Sequence, residues 1–171
     1  MTSWRLTVAM LIAGVLVCCS RCAHAQGAAD SLAALCHKQS AIAPLVEAAA
    51  AKWRVRPVVL VAMARVESSC GDNPRNRVTG ALGVLQVIPG RSADPDHLEA
   101  AELLDPATSI ELGARHLRKC VDLCGSLAGG LHVFHGGKRC REWRGDGYVA
   151  KVLSLVEWAK RRIRKMQARR S

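Results

Sequence analysis

The chain is short of acid, of aromatic rings and of long apolar runs. It carries 14 Asp and Glu against 25 Lys and Arg, a formal net charge of +11. Its one tyrosine is Tyr148 and its one phenylalanine is Phe134, so any task that needs a phenol falls to Tyr148. No internal repeat and no low-complexity linker divides the 171 residues, which leaves no sign of a second domain. The apolar run from Leu6 to Val17 is too short to cross a bilayer comfortably. It follows Arg5 and precedes Ala23-His24-Ala25, the order of a signal peptide. Residues 1–25 are therefore expected to be cleaved after Ala25, leaving residues 26–171 as one exported, periplasmic domain with no transmembrane helix. Val17 before Cys18 and Arg21 before Cys22 are poor matches to the small residue that lipid attachment requires.

Removing that segment takes the cysteines from eight to five: Cys36, Cys70, Cys120, Cys124 and Cys140. Export favours disulfides over free thiols. Five is odd, so one thiol is left over or pairs outside the chain, and the sequence does not choose the pairing. His116, Cys120 and Cys124 stand at helical spacing. No second compact ligand pair accompanies them, so a zinc ribbon is the weaker reading and no metal is expected. The mature chain, two cations fewer without Arg5 and Arg21, keeps a net charge of +9. Much of it lies at the C-terminus, in Lys160, Arg161, Arg162, Arg164, Lys165, Arg169 and Arg170. Outside the cytoplasm such charge suits anionic wall polymers or lipid headgroups, and nucleic acid is not expected.

The informative stretch is Val58–Gln86, VVLVAMARVESSCGDNPRNRVTGALGVLQ. Pro57 fits a first helical turn. Leu60, Met63 and Ala64 precede Glu67 by seven, four and three positions, which puts Glu67 on an apolar helix face. Gly71 reads as the helix stop, so Glu67 falls in the last turn. Burial and the carbonyl end of the helix dipole both disfavour its anion and raise its pKa. A carboxyl kept protonated near neutral pH is what a general acid needs. Taken alone, such a residue is more often a partly exposed or structural glutamate.

Elsewhere the pattern predicts helices from Asp30 or Ser31 to about Lys38 and from Ala41 to Trp53, the second capped by Ser40. A small hairpin or helical turn is expected at Val84–Ile88. Asp105 caps and Pro106 opens a helix reaching Cys124-Gly125, with Gly113 marking close packing. A short helix over Ser126–His135 and an amphipathic one from about Tyr148 complete the chain.

Glu67-Ser68, then Gly80-Ala81-Leu82-Gly83-Val84-Leu85-Gln86, then Leu104–Gly113, then Tyr148–Val152 stand together in an order that resembles the lytic transglycosylase domain of bacterial cell-wall enzymes, related to goose-type lysozyme. Val84 and Leu85 replace a usual Leu-Met pair. Phe134-His135 replace Tyr-Asn. The resemblance implies a mainly α, single lysozyme-like domain with at most a small β-hairpin beside the active-site cleft. It implies cleavage of the β-1,4 bond between N-acetylmuramic acid and N-acetylglucosamine of peptidoglycan, leaving 1,6-anhydro ends. Glu67 would be acid and then base, and no cofactor is needed. Ser68, Gly83, Leu85, Gln86, Phe134 and His135 would meet the sugar chain, and Tyr148 would orient Glu67. No partner carboxylate is evident, as in substrate-assisted glycosidases. Two other classes fit the same residues: a hydrolytic goose-lysozyme-like muramidase and a non-catalytic peptidoglycan-binding module. A further implied role is local opening of the wall for a secretion or conjugation apparatus, docked through the basic C-terminal helix.

Overall fold

The computed structural model describes residues 27–36 and 40–169, and the expected signal peptide lies outside them. Residues 27–35 form helix α1. A 3-10 turn, Ser40–Ile42, leads into α2, Ala43–Trp53. The helix therefore begins later than expected, with Ile42 rather than Ser40 at its cap and Pro44 in its first turn. Then come α3 (Pro57–Ser68), α4 (Ala100–Leu104), α5 (Pro106–Cys124), α6 (Leu127–Phe134) and α7 (Gly147–Ala168). Among the described residues the β structure is limited to isolated bridges, Arg75 to Leu82 and Leu82 to Val87. The mainly helical expectation holds.

Helix α3 is the axis. Val59, Leu60, Val61, Ala62, Met63 and Ala64 are all at most 1% exposed, so it is buried on nearly every side and not along one stripe. It packs against α2 and α7, while α5 packs against α2 and α6. Helix α7 returns Tyr148, Val149, Val152, Val156 and Ala159 to the same core. A smaller cluster of Leu82, Val87, Leu103 and Leu112 sits beneath the glycine loop.

The ends of α5 are set as the sequence suggested. The Asp105 carboxylate accepts the Thr108 N–H at 2.8 Å, Pro106 occupies the first turn, and Gly125 closes α5 in the left-handed region. Gly113 has no room for a side chain: a Cβ there would lie 2.5 Å from Leu85 Cδ1. Disulfides join Cys36 to Cys70 and Cys124 to Cys140, leaving Cys120 as the buried free thiol among the described cysteines. Helix α4 was not foreseen. Its entry is fixed by the Glu102 carboxylate, which accepts the Glu99 N–H at 3.0 Å.

Candidate active site

Glu67 stands in the last turn of α3, half-buried. The left-handed stop is Ser69, two residues before Gly71. Ser69, Cys70 and Gly71 all have positive φ (54°, 67° and 95°). Such a conformation costs a non-glycine residue about 1–2 kcal/mol. The Cys70 N–H bonds back to Ala64 O at 2.8 Å, and the Cys36–Cys70 bridge ties the turn to the end of α1. The chain is thus forced to reverse directly behind Glu67.

Burial holds the Glu67 carboxyl above the usual carboxylate range, and the Tyr148 hydroxyl opposes this more weakly by favouring the anion. Tyr148 opens α7 and is only 8% exposed. Its hydroxyl is buried and interacts with Glu67, although the pair falls short of full hydrogen-bond geometry. Burial first, then the Glu67 charge, pushes the phenol well above its ordinary range. The exposed ring of His135 stacks flat on Tyr148, with centroids 4.1 Å apart and planes at 3°.

Two buried hydroxyls hold the glycine loop against this centre. Ser68 Oγ donates to Val84 O at 2.7 Å and accepts the Gly71 N–H at 2.8 Å. Ser109 Oγ, on α5, accepts the Leu85 N–H at 3.1 Å. Gly83 (φ 78°) lies so close to α4 and α5 that a Cβ would come within 2.3 Å of Leu103 O and Ser109 Oγ. Gln86, also left-handed, donates its side-chain amide to Gly83 O at 3.0 Å.

A carboxyl in the last turn of a buried helix thus stands beside the only tyrosine, next to a serine that holds the glycine loop. The transglycosylase SLT domain model matches residues 44–148, which contain every one of these groups. This chain belongs to the transglycosylase SLT family. It is similar to a transglycosylase of Enterobacteria phage PRD1, 31% identical over 114 residues. That alignment covers 65% of this chain and 41% of the phage protein, so the chain spans well under half the length of that relative. No solved structure matches the chain.

Within this SLT domain the expected residues separate into three groups. Glu67, Tyr148 and His135 form one contact chain from the helix end to the surface. Gln86 and Phe134 are partly exposed near the same elements, and Phe134 rests against His116 with ring centroids 5.3 Å apart. Ser68, Gly83 and Leu85, expected to meet substrate, are instead buried. The hydroxyl of Ser68 and the N–H of Leu85 are already engaged, and Gly83 is pressed onto α5. These contacts fix the loop. The sequence reading missed Ser109. It also missed the pair of His132 and Asp146, joined Nδ1 to Oδ2 at 2.5 Å. Asp146 carried a signal, an aspartate ahead of an apolar helix, but nothing local announced its histidine partner 14 residues earlier.

Proposed function

We propose that this SLT domain is a peptidoglycan lytic transglycosylase in which Glu67 works alone as acid and then base. The half-buried carboxyl at the end of α3, held above its usual range beside Tyr148, carries the reading. Glu67 gives its proton to the glycosidic oxygen as the C1–O bond breaks. The substrate's own N-acetyl oxygen steadies the cation at C1. The Glu67 carboxylate then takes the proton of the muramic acid C6 hydroxyl as that oxygen closes on C1. Glu67 ends protonated again, the sugar ends as a 1,6-anhydro ring, and no water is consumed. Asp146 supplies no second catalytic carboxylate in this scheme, because one of its oxygens caps α7 and the other is bound to His132.

Digestion of purified peptidoglycan in ¹⁸O-labelled water tests this. Transglycosylation leaves muramic acid termini unlabelled and one water lighter than reducing ends. Labelled reducing ends would show a hydrolytic muramidase. Binding without new ends would show a wall-binding module.

We further propose export to the periplasm and docking on a secretion or conjugation apparatus through the basic C-terminal helix. There a groove of about 460 Å³ is lined by Ala34, Leu35, Arg65, Leu155, Trp158 and Arg161. Trp158 is 40% exposed, with the Arg162 guanidinium 5.2 Å from its ring centroid. No described helix is long and apolar enough to cross a membrane. A chain ending after Lys160 keeps Ala159, the last buried residue of α7. It should fold and digest peptidoglycan, yet lose partners captured by the full chain. Unchanged partners would remove the basic end from the docking role.

A further inference from the structure

The start of α7 is held by more than a cap. Asp146 uses both carboxylate oxygens. Oδ1 accepts the N–H groups of Tyr148 at 2.8 Å and Val149 at 3.3 Å, and Oδ2 meets His132 Nδ1 at 2.5 Å. A carboxylate only accepts, so Nδ1 carries the proton of that bond. An ordinary capping aspartate is held only by the N–H groups that it accepts. Here the two side chains are 13% and 14% exposed, and the carboxylate is fixed at both ends. The histidine is fixed in turn. Its ring lies under Gly137, where a Cβ would come within 2.2 Å of Nε2, and its carbonyl accepts the Gly137 N–H at 2.9 Å. The Cys124–Cys140 bridge spans α6 and this glycine turn.

We propose that His132 and Asp146 are positioning residues: together they fix the first turn of α7 and so set the Tyr148 hydroxyl against Glu67. His135, three residues after His132 on the same helix end, completes the clamp by stacking on the face of the tyrosine ring. Helix α6 therefore grips Tyr148 twice, through its backbone by way of Asp146 and through its ring by way of His135. The functional consequence rests on the role proposed for Glu67, whereas the positional one does not. A displacement of about 1 Å in such a group lowers turnover by up to roughly a hundredfold, which is far more than a lost cap alone would do.

Tyr148 is the only tyrosine, so protein labelled with ¹³C in its tyrosine ring gives one phenol resonance. In the wild type that resonance should shift with pH as Glu67 titrates; Glu67→Gln should remove that component and leave only what the stacked His135 and the neighbouring Asp146 contribute. His132→Leu should flatten the shift and lower kcat at least tenfold, with KM within about twofold. His132→Asn, which keeps a donor near the Nδ1 position, should restore most of both. Asp146→Asn keeps the oxygen that caps α7 and safeguards folding. It should weaken the response in the same direction. A resonance that follows Glu67 equally well in His132→Leu and Asp146→Asn would overturn the proposal, whatever the activity. A wild-type resonance that titrates normally in a protein whose turnover does not need Glu67 would leave the clamp standing and remove only its catalytic meaning.

Discussion

Replacing Ser68 by alanine separates two roles that one residue could play. The structure gives Ser68 no open face: it is 1% exposed, and its hydroxyl joins Val84 O at 2.7 Å to the Gly71 N–H at 2.8 Å. Alanine removes that link and strands a buried acceptor, Val84 O, on the glycine loop, while the Gly71 N–H keeps its bond to Ser68 O at 3.2 Å. The net loss should be about 1–3 kcal/mol, a sizeable part of a domain stability of roughly 5–15 kcal/mol. With both disulfides intact, the urea midpoint should fall by about 0.5–1.5 M at unchanged slope. Turnover should drop because the loop is no longer tied to the helix that carries Glu67, and KM should follow only to the extent that the loop moves. A midpoint shift below about 0.25 M together with a raised KM would refute this reasoning and return Ser68 to direct substrate contact.

Gly113→Ala gains about 1 kcal/mol of helix propensity but drives a Cβ to 2.6 Å from Leu85 Cβ, an overlap costing about 1–3 kcal/mol, so chemical denaturation should show a net loss near 1 kcal/mol. Replacing Cys36 and Cys70 together by serine opens a loop of sequence separation 34 and should cost about 4 kcal/mol; the pair Cys124 and Cys140, with separation 16, should cost about 3 kcal/mol, both read from thermal or urea unfolding. Tyr148→Phe removes the group that favours the Glu67 anion, so the alkaline limb of the pH–rate profile, where the acid loses its proton, should move to higher pH. Glu67 binds its proton more tightly folded than unfolded. The stability this contributes is full below the unfolded pKa and is lost as pH rises through the folded one. Glu67→Gln should therefore match the wild-type melting temperature at acid pH and exceed it above neutrality.

The parts of the fold legible in the sequence are those with local causes. Pro57, Asp105, Pro106 and Gly125 mark helix ends by backbone chemistry that operates within a few residues, and each stands where that chemistry puts it. Glu67 on an apolar face was visible from spacing, because one helix decides which side chains share a face. The stop after Glu67 was less legible. A serine and a cysteine adopt the left-handed turn before the glycine does, in a segment tied back by a disulfide to a residue 34 positions away. Ser68 and Gly83 looked like substrate contacts because of their place in the motif. Whether they face a cleft or the core depends on where α5 lies, and that is a tertiary fact. The same holds for Ser109 and for the His132–Asp146 pair, whose partners are separated by 24 and 14 residues.

The central claim is that one carboxyl, Glu67, performs both proton transfers. Its most direct test is the rate of new muropeptide ends from purified peptidoglycan, by mass spectrometry, for wild type and for folded Glu67→Gln. The account predicts 1,6-anhydro ends from the wild type and a loss of at least roughly a hundredfold in the variant. Anhydro ends formed at a comparable rate by Glu67→Gln would contradict it.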